Sequence, residues 1–160
     1  MTVTMNTQNP PLSVDALQGF EAQLGLSLPK AYRTFLLEND GGLPANNIFS
    51  IPGQNNQSGV KVFLSASTIL LTRQKMAEQL ASDLVPIADD DCGNFICLNA
   101  TNGCVIFWDH ELDQGKNTFK LAPSFQDFLN AMKPLTPEDV PTGNVVKAWI
   151  DPEFLKSLKE

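Results

Sequence analysis

Two apolar runs separated by a polar turn dominate the hydrophobic pattern of the chain. Within residues 84–111, residues 94–98 and 104–108 are each about one strand long, and Asn99, Ala100, Thr101, Asn102 and Gly103 lie between them. Asn and Gly are the residues that tight turns favour, so the pattern predicts a β-hairpin. Alternation puts Phe95 and Cys97 on one face of the first strand and Ile96 and Leu98 on the other. On the second strand Val105 and Phe107 oppose Cys104, Ile106 and Trp108. Both faces are therefore apolar, which places the hairpin in the middle of a sheet, covered on each side by helices or by the remaining chain.

The flanking pattern supplies those helices. Ser13 can cap a helix with Val14, Leu17, Phe20, Ala22 and Leu24 at roughly helical spacing, ended by Gly25. Pro29 suits the first turn of a second helix whose stripe is Ala31, Tyr32, Phe35 and Leu36, stopped at Asn39, Asp40, Gly41 and Gly42. Residues 47–51 and 60–64 read as two short antiparallel strands around a polar loop at 52–59. Ser65 or Ser67 can cap a third helix over 68–82, with Ile69, Leu70, Met76, Ala77 and Leu80 inward and Arg73, Lys75, Glu78 and Gln79 toward water. Residues 84–88 lead into the acidic run. Phe119, Lys120 and Leu121 form one more short strand, and Ser124 with Asp127 starts a helix carrying Phe125, Phe128, Leu129 and Met132. Three units follow: a loose lead-in at 1–12, one domain over 13–133, and a proline-rich linker with a C-terminal strand and helix over 134–160 that packs on the domain.

A length of 160 residues suits one domain, able to bury roughly 70% of its unfolded surface. Eighteen Asp and Glu against eleven Lys and Arg give a net charge of −7, which argues against nucleic acid as a direct partner, since phosphate binding needs a basic face. The N-terminus lacks the basic segment and apolar core of a secretion signal, and no apolar run approaches a membrane span, so a cytoplasmic protein without membrane contact is expected. Cys92, Cys97 and Cys104 cluster in or beside the hairpin and read as reduced, buried thiols, with a Cys97–Cys104 pairing as the alternative.

Candidate chemistry is sparse. Asp89, Asp90 and Asp91 are consecutive, so their carboxylates diverge, and no Asp-x-Asp-x-Asp-Gly loop or closing glutamate follows; a solvated acidic turn or a docking patch fits better than a cation site. His110, the single histidine, has no evident nucleophile or zinc co-ligands and reads as a surface or hydrogen-bonded residue. Phe95, Phe107 and Trp108 are flanked by acid rather than by the basic residues of a base-stacking platform, so core packing or a protein contact is expected of them. Gly41 and Gly42 lack the Lys-Ser/Thr of a phosphate loop. No catalytic residue, cofactor site or metal site is assigned.

Leu28, Pro29 and Tyr32, then Phe35, Leu36 and the Asn39-to-Gly42 stop, then Pro86, Ile87, Ala88 and Asp89, then Gly93 to Leu98 and Gly103 to Glu111 occur in an order and spacing that resembles the SUKH superfamily of SMI/KNR-type domains. The resemblance covers about Ser13 to Met132. It implies an α+β fold, a central and mostly antiparallel sheet with flanking helices, and no enzymatic activity. It also implies a protein-binding role, foremost that of a bacterial immunity protein that neutralises a cognate toxin of the nuclease or deaminase class by occlusion. The alternative is an intracellular scaffold or regulator with a non-toxin partner. Joined to the charge pattern, the expected contact surface is Asp89, Asp90, Asp91, Asp109, Glu111 and Asp113 facing a basic toxin surface, with a homodimer through the C-terminal segment as a further option.

Overall fold

The computed structural model describes residues 3–139. Its elements are β1 (Met5–Gln8), α1 (Val14–Leu24), α2 (Lys30–Asn39), β2 (Gly42–Pro44), β3 (Ile48–Ile51), β4 (Asn56–Gly59), β5 (Val62–Phe63), α3 (Ala66–Lys75), β6 (Leu84–Asp89), β7 (Phe95–Asn99), β8 (Val105–Trp108), β9 (Thr118–Ala122) and α4 (Phe125–Ala131). Seven strands form one sheet in the order β1-β2-β5-β6-β7-β8-β9, every neighbouring pair antiparallel, and β3 with β4 forms a separate ribbon. The fold is α+β with a mostly antiparallel sheet, as the sequence predicts.

The hairpin lies in the sheet interior. Asn99 Oδ1 accepts from the main-chain N–H of Thr101 and Asn102, at 2.9 and 3.1 Å, and Asn102 Oδ1 accepts from that of Cys104 at 3.0 Å, so side chains build the turn that joins β7 to β8. One face of the sheet carries the cross-strand row Phe63, Ala88, Ile96, Phe107 and Phe119, followed on β6 to β8 by Val85, Leu98 and Val105. This face packs on Leu17 and Phe20 of α1, Tyr32, Phe35 and Leu36 of α2, and Phe125 and Phe128 of α4, forming the main core. The other face carries Asp89, Phe95, Trp108 and Thr118 in one row and Cys97, Ile106 and Lys120 in the next. Here the cover is a smaller cluster in which Met76 and Leu80, just past α3, sit with Leu84, Cys97 and Trp108.

Caps behave as the chemistry demands. Ser13, Ser65 and Ser124 accept from the N–H three residues on, and Gly25 closes α1 in the left-handed region. Gly41 and Gly42 stop α2 and do more: a Cβ on Gly42 would stand 2.2 Å from the Thr7 carbonyl oxygen, and one on Gly41 2.5 Å from that of Phe63. Side chains there would push β1 and β5 away.

Four expectations are corrected. Residues 5–8, expected within a loose lead-in, form edge strand β1 against β2, and Leu12 N–H donates to the Leu36 carbonyl at 3.2 Å. Strand β3 pairs with β4, inside the expected polar loop, while β5 joins the main sheet so that Phe63 enters the core. Residues 84–88 belong to strand β6; Pro86, which lacks an N–H, is accommodated where the register slips between Pro86 and Ala88. Helix α3 ends at Lys75, and Arg73, expected to face water, turns back to donate to the Ser82 and Leu84 carbonyls. The strand and helix expected within 140–160, and any homodimer contact made there, lie outside the described residues.

Candidate functional site

The turn between β6 and β7 and the loop between β8 and β9 leave the sheet at the same end, and a polar chain joins them, buried at Asp90 and Asn94 and exposed at His110. Asp90 is only 4% exposed. Its Oδ1 accepts from the main-chain N–H of Cys92 at 2.8 Å and of Asn94 at 2.9 Å, and its Oδ2 accepts from Asn94 Nδ2 at 2.9 Å and Ser58 Oγ at 3.0 Å. With Nδ2 committed to Asp90, the Asn94 Oδ1 faces the other loop. There it accepts from the main-chain N–H of His110 at 3.1 Å and lies 2.8 Å from His110 Nδ1. Because an amide oxygen only accepts, Nδ1 carries the proton of that contact. The ring rests over Gly93, where a Cβ would stand 3.5 Å from the imidazole.

Asp90 therefore does not belong to an exposed patch: it is a buried anchor, because an aspartate at the start of such a turn satisfies main-chain N–H groups. Asp91, Glu111 and Asp113 are exposed and Asp109 is half-buried, its Oδ1 accepting from Glu111 N–H at 2.9 Å. Lys116 shares the second loop, its N–H donating to the Asp113 carbonyl at 3.0 Å. Asp89 is different again. It stands on the thinly covered sheet face, pairing with Phe95, and its Oδ1 is buried without a hydrogen bond. Burial pushes its carboxyl above the ordinary carboxylate range and Asp90 adds to this, while Lys61 and the N–H groups of Asp89 and Val62 pull the other way.

Ser58, Asn94 and His110 are site residues that the sequence reading did not place together. The Asp-x-x-Gly-Asn spacing of residues 90–94 carried the local half of the signal, but Ser58 lies 32 residues from its partner. Cys92 is exposed and Cys97 and Cys104 are buried, all three free. Cys97 pairs across the sheet with Ile106 and not with Cys104, and burial raises its thiol pKa, so it is inert packing. Among the described residues no group of three or more His, Cys, Asp or Glu is placed to hold a metal ion, and no helix is long and apolar enough to cross a membrane.

A model of the SMI1 / KNR4 family (SUKH-1) matches residues 11–131, about three quarters of the chain. The chain belongs to this family. It is also similar to the SPbeta prophage-derived uncharacterized protein YokK of Bacillus subtilis (strain 168), 39% identical over 54 residues. That match spans 33% of this chain and 28% of the relative. The family match takes in both acidic loops and leaves β1 outside, although β1 completes the sheet edge.

Proposed function

We propose that this SUKH protein is a non-enzymatic immunity protein of the cytoplasm, which binds a cognate toxin of the nuclease or deaminase class and blocks its active surface. The observation that carries the reading is the pair of loops bearing Asp91, Asp109, Glu111 and Asp113, held side by side by the Asp90–Asn94–His110 chain. Fixing carboxylates on a buried scaffold keeps their field in place without ordering them at the moment of encounter. An enzyme that acts on nucleic acid presents a basic cleft, and a charge-complementary plug both finds that cleft quickly and excludes substrate from it.

Co-expression with the toxic product of a neighbouring gene tests this directly. Rescue of growth, together with a complex that survives purification, supports immunity; binding without rescue points to a scaffold role. In the complex, Asp91→Asn, Glu111→Gln and Asp113→Asn together should slow association on the order of tenfold at low salt and flatten its salt dependence. Unchanged association kinetics would remove these loops from the interface.

A further inference from the structure

The thinly covered sheet face holds, in one cross-strand row, two buried polar atoms without a hydrogen bond. Asp89 pairs with Phe95, and Phe95 pairs with Trp108. Asp89 Oδ1 and Trp108 Nε1 are buried and make no hydrogen bond among the described residues. Trp108 is only 5% exposed, so its indole N–H has exchanged water for nothing. Phe95 between them is half-buried, as is Ile106 in the next row, and the two rings of Phe95 and Trp108 lie 6.1 Å apart. Met76 and Leu80 cover the Trp108 end of this row, with Phe95 packed at the edge of their cluster, and Asp89 lies outside it. The row is the last before the strands enter the two acidic loops, so Asp91, Asp109, Glu111 and Asp113 rim it.

We propose that this row is the central contact of the protein's interface, and that it receives an arginine side chain from a basic protein partner. The proposal rests on the partner-binding reading above and adds which face is used and what enters it. A guanidinium supplies planar donors to the Asp89 carboxylate while its flat face and stem lie on Phe95, and the peptide carrying it brings carbonyl oxygens within reach of the Trp108 indole once Phe95 shifts. Lysine fits less well, because a compact ammonium neither stacks nor engages a carboxylate in two places. The excess of carboxylates at the rim selects a cationic partner over a second copy of this acidic chain. Lys61 already acts on the Asp89 carboxylate, and Lys120 lies one row in beside Ile106. Burial raises the carboxyl pKa of Asp89, and a cation brought against it would act in the opposite direction.

The test uses the full chain, isotope-labelled, titrated with the peptide acetyl-Gly-Arg-Gly-Arg-Gly-amide and with its lysine and citrulline counterparts. The two indole signals are told apart with Trp149→Phe. The arginine peptide should move the Trp108 indole and the amides of Phe95 and Ile106, and bind about two- to fivefold more tightly than the lysine peptide. Citrulline, isosteric but neutral, should leave them in place. Asp89→Asn should abolish the response, whereas Asp91→Asn should weaken all cationic peptides alike. Shifts confined to the rim carboxylates, an equal response to lysine, or a response that survives Asp89→Asn would overturn the proposal. So would movement of the same signals on concentrating the protein alone, which identifies a second copy as the occupant. None of these results depends on toxin rescue, so the immunity reading and this contact fail separately.

Discussion

Adjacent aspartates in this chain have opposite physical roles. Asp90 accepts four hydrogen bonds in the interior, and each bond to a charged group adds stability while the chain remains intact. Asp89 is buried in part without adequate compensation, so its ionisation opposes folding. The sign follows from linkage: a folded-state carboxyl pKa above the unfolded one means the native state binds more protons between the two values, and stability falls as pH rises through that window. Asp89→Asn should therefore stabilise the free protein at pH 7, with the gain vanishing below the ordinary aspartate pKa of about 3.9. Asp90→Ala should instead cost about 2–3 kcal/mol at pH 7, since Asn94 and Ser58 lose their acceptor. Urea midpoints of both variants at pH 3 and pH 7 check the pair, and a loss of stability in Asp89→Asn at pH 7 would refute the assignment. Nothing in the run of three aspartates distinguishes these roles; they come from which side of the sheet end each residue faces.

At the scale of elements, the segment after α3 shows how one long side chain substitutes for regular structure. Arg73 ties the Ser82 and Leu84 carbonyls to the last turn of α3, and this holds Met76 and Leu80 down over Cys97. Arg73→Met keeps the stem but removes the donors. In the native protein Cys92 should react with a disulfide reagent under non-denaturing conditions while Cys97 and Cys104 stay protected; in Arg73→Met the labelling of Cys97 should accelerate severalfold with Cys92 unchanged. Equal labelling of Cys97 in both proteins would show that the tie is decorative. The elements legible in the sequence were those with an apolar pattern and a clear start or stop signal: α1 behind Ser13, α2 ahead of the glycine pair, α4 behind Ser124, and the two-faced hairpin. Those it concealed lack that signal. Strand β4 is Asn-Gln-Ser-Gly, β1 is Met-Asn-Thr-Gln, and both are edge strands that lack an apolar alternation. β6 was obscured by Pro86, which a bulge absorbs.

For the molecule as a whole, the sheet is thick in its centre and thin at one margin. Strands β6, β7 and β8 have neighbours on both sides and residues with no exposure, whereas β1 is held by one partner and leaves Asn6, Thr7 and Gln8 exposed. Amide exchange should accordingly be slowest in β7 and fastest in β1. Gly42→Ala should widen that difference, because the new methyl meets the Thr7 carbonyl and the backbone there has a positive φ of 122°. The expected cost is about 1–3 kcal/mol, with exchange rising over residues 5–8 and protection kept in β7. Uniform loss of protection would mean that β1 is integral to the cooperative core. The whole-molecule charge was readable from composition, but the gathering of loop carboxylates at one sheet end was not: it depends on Asn94 reaching His110 across 16 residues.

That inward reach separates two kinds of position within the same loops. Asp90 and Asn94 point into the protein, while Asp91, Glu111 and Asp113 between and beyond them are exposed. The outward positions can be substituted one at a time without disturbing the buried bonds, so the charge and shape these loops present can change while the scaffold stays the same.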